Sequence, residues 1–275
     1  MTFRGQKRVL IVAVVGGGKI GEAVARSIAK SDRVRRVLVT KRNVTTLKGP
    51  RSEKIIVTSD NKRAARESDV VIVAVKAGDA RQVLEQIEEF TADKIVISLM
   101  AAISIKKLET ALPRAKIVRS MPNIAATIGE AITAYSVGER LAKKDVDEVR
   151  FVLGCFGDHI EVPESLMNAV TALSGSGPAY IAVLIEAMVS AGLKVGIPRD
   201  IAFKLVAKTL TGTADLLSTN GIHPAELRDL VTTPAGTTIA GIYELEKGAL
   251  RTSIMNAVDA ATQAAEKVAR KFESD

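Results

Sequence analysis

An uninterrupted apolar segment that ends in a glycine-rich loop constrains this chain more than any other feature. Residues 9–15 read Val-Leu-Ile-Val-Ala-Val-Val, a β-branched run typical of a parallel strand buried on both faces. Gly16, Gly18 and Gly21 follow directly, and apolar residues then recur at every fourth position over 20–28, as on one face of a helix. The segment therefore predicts a strand, a tight turn and a helix in that order.

The first half of the chain repeats this alternation, and the second half does not. Polar, helix-compatible stretches (80–90 and 105–112) separate further predicted strands at 37–39, 54–57, 70–75, 95–99 and 117–118. Beyond residue 163 the sequence predicts only Ala-rich helices, at 164–173, 178–192, 200–218, 224–230 and 237–272. We expect an α/β protein with an N-terminal Rossmann-type doubly wound sheet over 1–162 and an all-helical domain over 163–275.

Two features of the helical half suggest close packing. Helix 178–192 is apolar nearly all round, which predicts that it is buried, with a subunit interface as one place where it could be covered. The small residues of segment 174–178, Ser-Gly-Ser-Gly-Pro, would let another surface or a ligand approach the backbone closely. A tight crossing between helices is the alternative explanation for that segment.

The glycine loop has the context of a dinucleotide site, because it follows a strand and opens a helix. Gly16 would allow the tight turn, Gly18 would admit a pyrophosphate, and Gly21 would permit close packing of helix on strand. The helix N-terminus supplies oriented N–H groups for the negative charge. An ordinary glycine-rich turn is the alternative.

The end of the second predicted strand bears on which dinucleotide binds. NAD sites usually place an Asp or Glu there for the ribose hydroxyls, whereas this chain reads Thr40-Lys41-Arg42-Asn43. Cations without a carboxylate favour a ribose 2′-phosphate, so NADP(H) is the preferred cofactor and NAD(H) the second choice. Alternatively, Lys41 and Arg42 form a solvated turn.

Composition argues against several other functions. The net charge is +8, but the Lys and Arg residues are interspersed with Asp and Glu instead of forming one basic block. Aromatic residues, on which bases could stack, make up only 3% of the chain. Neither feature fits a nucleic-acid partner. The single Cys155 fits a reducing cytoplasm. The uncharged run 165–185 is broken by Gly175, Gly177 and Pro178, so no membrane span is expected. Neither His159 nor His223 has ligand partners at metal-binding spacing, and no metal is expected.

With these segments in place, the chain resembles the Δ1-pyrroline-5-carboxylate reductase family over nearly its whole length. Besides the glycine loop, the matching segments are 60–62, 74–76, 118–123, 171–180, 192–199, 224–229 and 231–241. The resemblance implies reduction of the cyclic imine of 1-pyrroline-5-carboxylate to L-proline by NAD(P)H. It also implies an intertwined dimer, with five dimers sometimes forming a ring of ten.

The resemblance also implies the site residues. Glu164, Thr237 and Thr238 would lie at the substrate. The cofactor would be contacted by the glycine loop, the end of the second strand, and segments further along the chain: Val15, Gly16, Gly17, Gly18, Lys19, Ile20, Gly21, Thr40, Lys41 or Arg42, Asn61, Ala74, Val75, Lys76, Ala77, Met100 and Ala101.

The chemistry suggests individual roles for the substrate residues. Hydride addition to C=N needs a positioned ring nitrogen, and the Thr238 hydroxyl would hydrogen-bond it as the catalytic group. Backbone N–H groups of Gly236, Thr237 and Thr238 would hold the substrate carboxylate at a helix N-terminus. Alternatively, the two threonines cap a helix, Glu164 is a first-turn carboxylate, and Lys76 is solvated.

Two departures from the family pattern and two rival functions remain open. Ala102 and Ala235 stand where the family has glycine, and a methyl group would strain either loop if its φ is positive. A β-hydroxyacid dehydrogenase shares the two-domain plan, but the lysine that family requires is absent from 180–188. A non-catalytic NADP-binding scaffold is the other alternative.

Overall fold

The computed structural model describes residues 8–44 and 52–274. Its sheet has eight strands in the order β3-β2-β1-β4-β5-β6-β7-β8, all neighbours parallel except β6 and β7. The strands are β1 Leu10–Val15, β2 Val34–Thr40, β3 Ile55–Thr58, β4 Val70–Val73, β5 Ile95–Ser98, β6 Lys116–Pro122, β7 Ala131–Val137 and β8 Gly157–Glu161. This order confirms the doubly wound sheet. Successive strands are added on one side of β1 up to β3 and then on the other side from β4 onwards, so the strand order reverses between β1 and β4, where such sheets bind ligands.

Eleven α-helices accompany the sheet in the described residues. Those of the sheet region are α1 Lys19–Ala29, α2 Asn61–Glu67, α3 Ala80–Ile87, α4 Ile105–Ala111 and α5 Lys143–Gly154. The helical region comprises α6 Met167–Val170, α7 Gly177–Lys194, α8 Arg199–Asn220, α9 Pro224–Leu230, α10 Thr237–Lys247 and α11 Leu250–Ser274. The all-helical second half is thereby confirmed.

Alternate residues of the central strands fill two separate cores. On β1, Val12 and Val14 join the cluster that contains residues of α1 and α5. Ala13 and Val15 join the cluster on the opposite face, with residues of α2, α3 and α4. Because side chains alternate across a strand, a sheet covered on both faces requires a continuous apolar run, which is the pattern of residues 9–15.

Five parts of the chain differ from the sequence-based expectation. Strands β7 and β8 and helix α5 were not predicted. The expected single helix over 237–272 is wrong, because the chain leaves α10 at Lys247 and Ala249 takes a φ of +52° before α11 begins. The expected helix over 164–173 is a 3₁₀ turn followed by α6 and a π-helical turn, Thr171–Gly175.

The contacts divide the chain into two compact units. One contains the described residues up to Ser176 and those from Ala261 onwards, and the other is Gly177–Ala260. The proposed domain boundary at residue 163 stays a prediction. In the second unit, whose residues are all described, the buried core is small and comprises Val189, Ala202 and Val206.

One helical stretch in the described part, Glu164–Lys194, is long and apolar enough to cross a membrane by length and composition alone. Only 11% of its most apolar window is buried within the single chain. Its exposed apolar residues include Ile181 and Val183 of α7. Such a surface on a single chain calls for a covering partner.

Candidate active site

The glycine loop is held at the end of β1 by hydrogen bonds that its N–H groups donate to Thr40, the last residue of β2. Gly16 N donates to Thr40 Oγ1 (3.2 Å), and Gly17 N donates to the Thr40 carbonyl (2.7 Å). On the other side of β1, Ala74 N donates to the carbonyl of Val15 (2.8 Å). The loop therefore starts from a fixed position between the ends of β2 and β4.

The three motif glycines have different steric surroundings. Gly16 has φ +105°, and a Cβ there would lie 2.7 Å from the carbonyl oxygen of Ala74. A Cβ on Gly21 would lie 2.0 Å from the carbonyl oxygen of Gly16. By contrast, a Cβ on Gly18, the N-cap of α1, would meet no atom within 4 Å. Two glycines are required by packing, and the third leaves open backbone at a helix N-terminus, which fits a pyrophosphate.

A groove of about 440 Å³ lies at the carboxyl ends of the strands around the β1/β4 reversal. The structure brings these predicted residues together along it: Gly16, Gly17, Gly18, Thr40, Lys41, Arg42, Asn61, Ala74, Val75 and Lys76. The sequence analysis did not select four further lining residues, Asn43, Ser59, Asp79 and Val83. Ser59 and Asp79 closely follow β3 and β4, so their place after predicted strands was the available signal.

The remaining predicted cofactor residues lie outside the lining of this groove. Val15 is buried at the end of β1, Gly21 is buried in α1, and Met100 is buried beyond β5. Lys19 and Ala101 are exposed, and Ile20 and Ala77 are half-buried. Their contacts with a cofactor stay predictions.

Both cations after β2 are paired with carboxylates from other elements. Lys41 Nζ contacts Glu22 Oε1 in the first turn of α1. Arg42 Nη2 lies 2.6 Å from Asp79 Oδ1 in the short turn after β4. A carboxylate is therefore present at this end of the groove, although none follows β2 in the sequence.

Two other polar groups predicted at the groove have different environments. Asn61, the first residue of α2, donates through Nδ2 to Gln86 Oε1 (2.7 Å), which fixes the orientation of its amide. Lys76 is exposed at the start of the turn Ala77–Asp79. Lys76 also lines the groove, and its contact with a cofactor stays a prediction.

Glu164 is tied to strand β6 and to the start of helix α4. Its Oε1 accepts hydrogen bonds from Arg119 Nη1 (3.0 Å) and from the backbone N of Ile105 at the start of α4 (2.7 Å). Arg119 is itself buried and also donates to Asn168 Oδ1 (3.4 Å). Glu164 thus has a clear structural role, and its contact with substrate stays a prediction.

The other substrate residues form the start of α10. Gly236 is its N-cap, and Thr237 and Thr238 lie in its first turn. Gly236 N donates to the Thr233 carbonyl (3.1 Å), so the N–H groups that lack helical partners are those of the following residues. The expected role of the Gly236 N–H group in holding the substrate carboxylate stays a prediction, and in that role this group would exchange its bond to Thr233 for one to the substrate. A Cβ on Gly236 would lie 2.3 Å from Thr233 Oγ1.

Both alanines that depart from the family pattern have left-handed backbone. Ala102 has φ +67° and Ala235 has φ +56°. Because a Cβ is unfavourable in this conformation, the condition for the expected strain is met at both positions.

No group of three His, Cys, Asp or Glu side chains that could hold a metal ion occurs among residues 8–44 and 52–274. His223 Nδ1 accepts a hydrogen bond from Ala225 N (3.2 Å) at the start of α9. The ring of His159 packs edge-on against Tyr135, with 5.9 Å between the ring centroids. Both histidines therefore have structural contacts.

Comparison with known proteins agrees with this architecture. Residues 164–268 match the pyrroline-5-carboxylate reductase dimerisation family, and residues 11–102 match the family of coenzyme F420-dependent NADP oxidoreductases. Among solved structures, the Plasmodium falciparum pyrroline carboxylate reductase with NADP bound has a TM-score of 0.85 and 29% identity, over 96% of this chain and 100% of that one.

Curated relatives align over almost their full length. The pyrroline-5-carboxylate reductase of Methanosarcina acetivorans is 38% identical over 270 residues, which cover 94% of this chain and 98% of that protein. The enzyme of the same name from Synechocystis sp. is 36% identical over 267 residues, with the same coverage. The chain belongs to the pyrroline-5-carboxylate reductase family.

Proposed function

We propose that this protein reduces the C=N bond of 1-pyrroline-5-carboxylate to give L-proline, with NAD(P)H as the reductant. The observation that carries the proposal is the open backbone of Gly18 at the mouth of the groove, in a chain whose helical half matches the reductase dimerisation family. The nicotinamide cofactor supplies the hydride, and the protein positions the two reactants.

The residues around the groove fit a dinucleotide. The N–H groups at the start of α1 would face the pyrophosphate, and Thr40 would hold the loop that presents them. Lys76 and Arg42 supply positive charge near the opening. We propose NADP(H) as the preferred cofactor and NAD(H) as a weaker one.

At the substrate, we propose that Thr238 hydrogen-bonds the ring nitrogen through its hydroxyl and is the catalytic side chain. The N–H groups of Thr237 and Thr238 would hold the carboxylate at the N-terminus of α10, where the helix dipole favours an anion. The imine nitrogen can arrive already protonated, so the protein need not supply a strong acid. Glu164 would contribute by keeping the surrounding loop in place.

The protein is a homo-oligomer, and we propose that its unit is an intertwined dimer, with a ring of five dimers as the larger assembly. A unit of this length with three buried apolar residues cannot hold itself together alone, because the entropy of ordering it outweighs so little burial. A second copy would cover the apolar surface of Glu164–Lys194. We propose a cytoplasmic location, with no membrane or nucleic-acid partner.

The assay follows the loss of reduced nicotinamide absorbance with 1-pyrroline-5-carboxylate and either NADPH or NADH. We expect proline as the product, with a higher kcat/KM for NADPH. A β-hydroxyacid with NADP⁺ is the comparison substrate and should not react. If neither reduced cofactor is consumed in the presence of the imine, the proposal is wrong.

The role of Thr238 has its own test. Thr238→Ala should lower kcat by about 100-fold, as loss of a hydrogen bond to a reacting group does, while the Kd of NADPH stays unchanged. Thr238→Ser retains the hydroxyl and should recover most of that loss. Wild-type turnover in Thr238→Ala would remove the residue from the mechanism.

A further inference from the structure

The two cations at the end of β2 have different environments. Lys41 lies across the glycine loop, since a Cβ on Gly17 would be 2.4 Å from Lys41 Cγ. Its side chain and that of its partner Glu22 are 16% and 17% exposed. Because both charges are largely shielded from water, separating this pair would leave two poorly solvated ions. Lys41 is therefore a fixed part of the loop.

Arg42, by contrast, can readily exchange its carboxylate partner for another anion. Its side chain is 85% exposed and that of Asp79 is 37% exposed, and the two are joined by one contact of 2.6 Å. Arg42 follows β2 and Asp79 follows β4, the neighbours of β1 on either side. Both residues line the groove, so their pair connects its two edges. An exposed pair of this kind is worth about 0–1 kcal/mol and is easily replaced.

We infer that Asp79 is a specificity-determining residue that competes with the ribose 2′-phosphate for Arg42. This inference rests on the cofactor part of the proposed function. A phosphate carries more negative charge than a carboxylate and binds arginine through two parallel hydrogen bonds, so it can displace Asp79. The displaced Asp79 carboxylate stays nearby and repels the bound phosphate. Arg42 thus gives a preference for NADP(H), and Asp79 limits that preference.

Two ligands that differ only in the 2′-phosphate isolate this effect from hydride transfer. Adenosine 2′,5′-bisphosphate and adenosine 5′-monophosphate are titrated calorimetrically into the full-length protein. Asp79→Asn should tighten the bisphosphate about fivefold, the upper range for an exposed pair, and leave the monophosphate unchanged. Arg42→Ala should weaken the bisphosphate about tenfold and leave the monophosphate unchanged.

A double-mutant cycle and a matched control complete the test. In the Arg42→Ala background, Asp79→Asn should lose most of its effect, because the two residues act through one contact. Glu85→Gln removes a more exposed carboxylate from α3, where it also pairs with an arginine, Arg81, at 3.0 Å, and should change neither Kd. The same gain for Asp79→Asn in both backgrounds would indicate only a general charge effect and overturn the inference.

Two other outcomes also overturn it. One is an equal change in the Kd of both ligands on Asp79→Asn, and the other is failure of the wild-type protein to distinguish them. Neither depends on imine reduction. A protein that reduces the imine with NADH and NADPH equally would retain the proposed reaction and lose this inference.

Discussion

Arg119 and Glu164 form an ion pair in which the arginine is buried and the carboxylate reaches the surface, with 3.0 Å between Arg119 Nη1 and Glu164 Oε1. The same oxygen accepts the backbone N–H of Ile105, so one carboxylate connects β6 to the start of α4. Arg119 Nε is buried with no partner in the described residues. The guanidinium therefore depends on Glu164 for much of its compensation.

Glu164→Ala should lower the free energy of unfolding by about 2–3 kcal/mol, because it leaves a buried guanidinium unpaired next to an unsatisfied N–H group. Glu164→Gln keeps an acceptor oxygen and should cost about 1 kcal/mol. Urea unfolding at fixed protein concentration measures both changes. Glu139 is exposed and lines a cavity of about 850 Å³ that Glu164 also lines, so Glu139→Gln is the control and should change little. Equal stabilities of Glu164→Ala and wild type would contradict this structural role.

Ala235→Gly should stabilise the protein by about 0.5–1 kcal/mol. The left-handed φ of +56° costs an L-residue about 1–2 kcal/mol, and the extra entropy of unfolded glycine cancels part of the gain. Ala102→Gly, at φ +67°, should behave in the same way. Ala207→Gly, inside α8, is the control and should lose about 1 kcal/mol. Destabilisation by both loop variants would show that these backbones are unstrained.

Sequence analysis predicted the secondary-structure elements that are specified by residues close together in the chain. The run 9–15 and the glycines after it specify a buried strand, a turn and a helix, because side-chain alternation and backbone freedom act over a few residues. Strand β8 was missed because its sequence, Gly-Asp-His-Ile-Glu, lacks an apolar run and lies at the sheet edge. The break before α11 was missed because alanine at 249 is a good helix former, although Gly248 at the end of α10 was an available stop signal.

The charge pairs at the site could not be predicted from spacing. Arg42 and Asp79 are 37 positions apart, and Arg119 and Glu164 are 45 positions apart. Each pair joins two segments that come within reach of each other only when the sheet forms. Sequence analysis could therefore identify cations after β2 but could not find the carboxylates that neutralise them.

Acid should weaken the start of α5 through Asp145. Burial alone would raise the pKa of this carboxyl, but hydrogen bonds from Lys116 Nζ and Ala142 N, both 2.9 Å long, bring it below the ordinary value of 3.8. Since the folded pKa is the lower one, the stabilisation is complete above 3.8 and is lost as the pH falls through the folded value.

Asp145→Asn should therefore lower stability by about 2–3 kcal/mol near neutral pH, less than for a fully buried pair because Lys116 partly reaches water. The difference from wild type should shrink as the pH falls below 3.8. Urea midpoints across this pH range measure it. Asp147→Asn, more exposed on the same helix, is the control. A pH-independent difference would show that charge on Asp145 is unimportant.

Alanine substitutions at Gly18 and Gly21 should distinguish a glycine needed for cofactor approach from one needed for packing. Gly18→Ala adds a methyl group where no atom lies within 4 Å, at a φ of −76° that alanine adopts freely, so it should cost less than about 1 kcal/mol of stability. The methyl group would occupy the space expected for the pyrophosphate and should raise the Kd of NADPH at least about tenfold. Gly21→Ala would place its Cβ 2.0 Å from the carbonyl oxygen of Gly16 and should prevent the loop from forming. Thermal unfolding and fluorescence titration with NADPH measure the two effects. Wild-type affinity in a folded Gly18→Ala variant would mean that the cofactor does not approach this backbone.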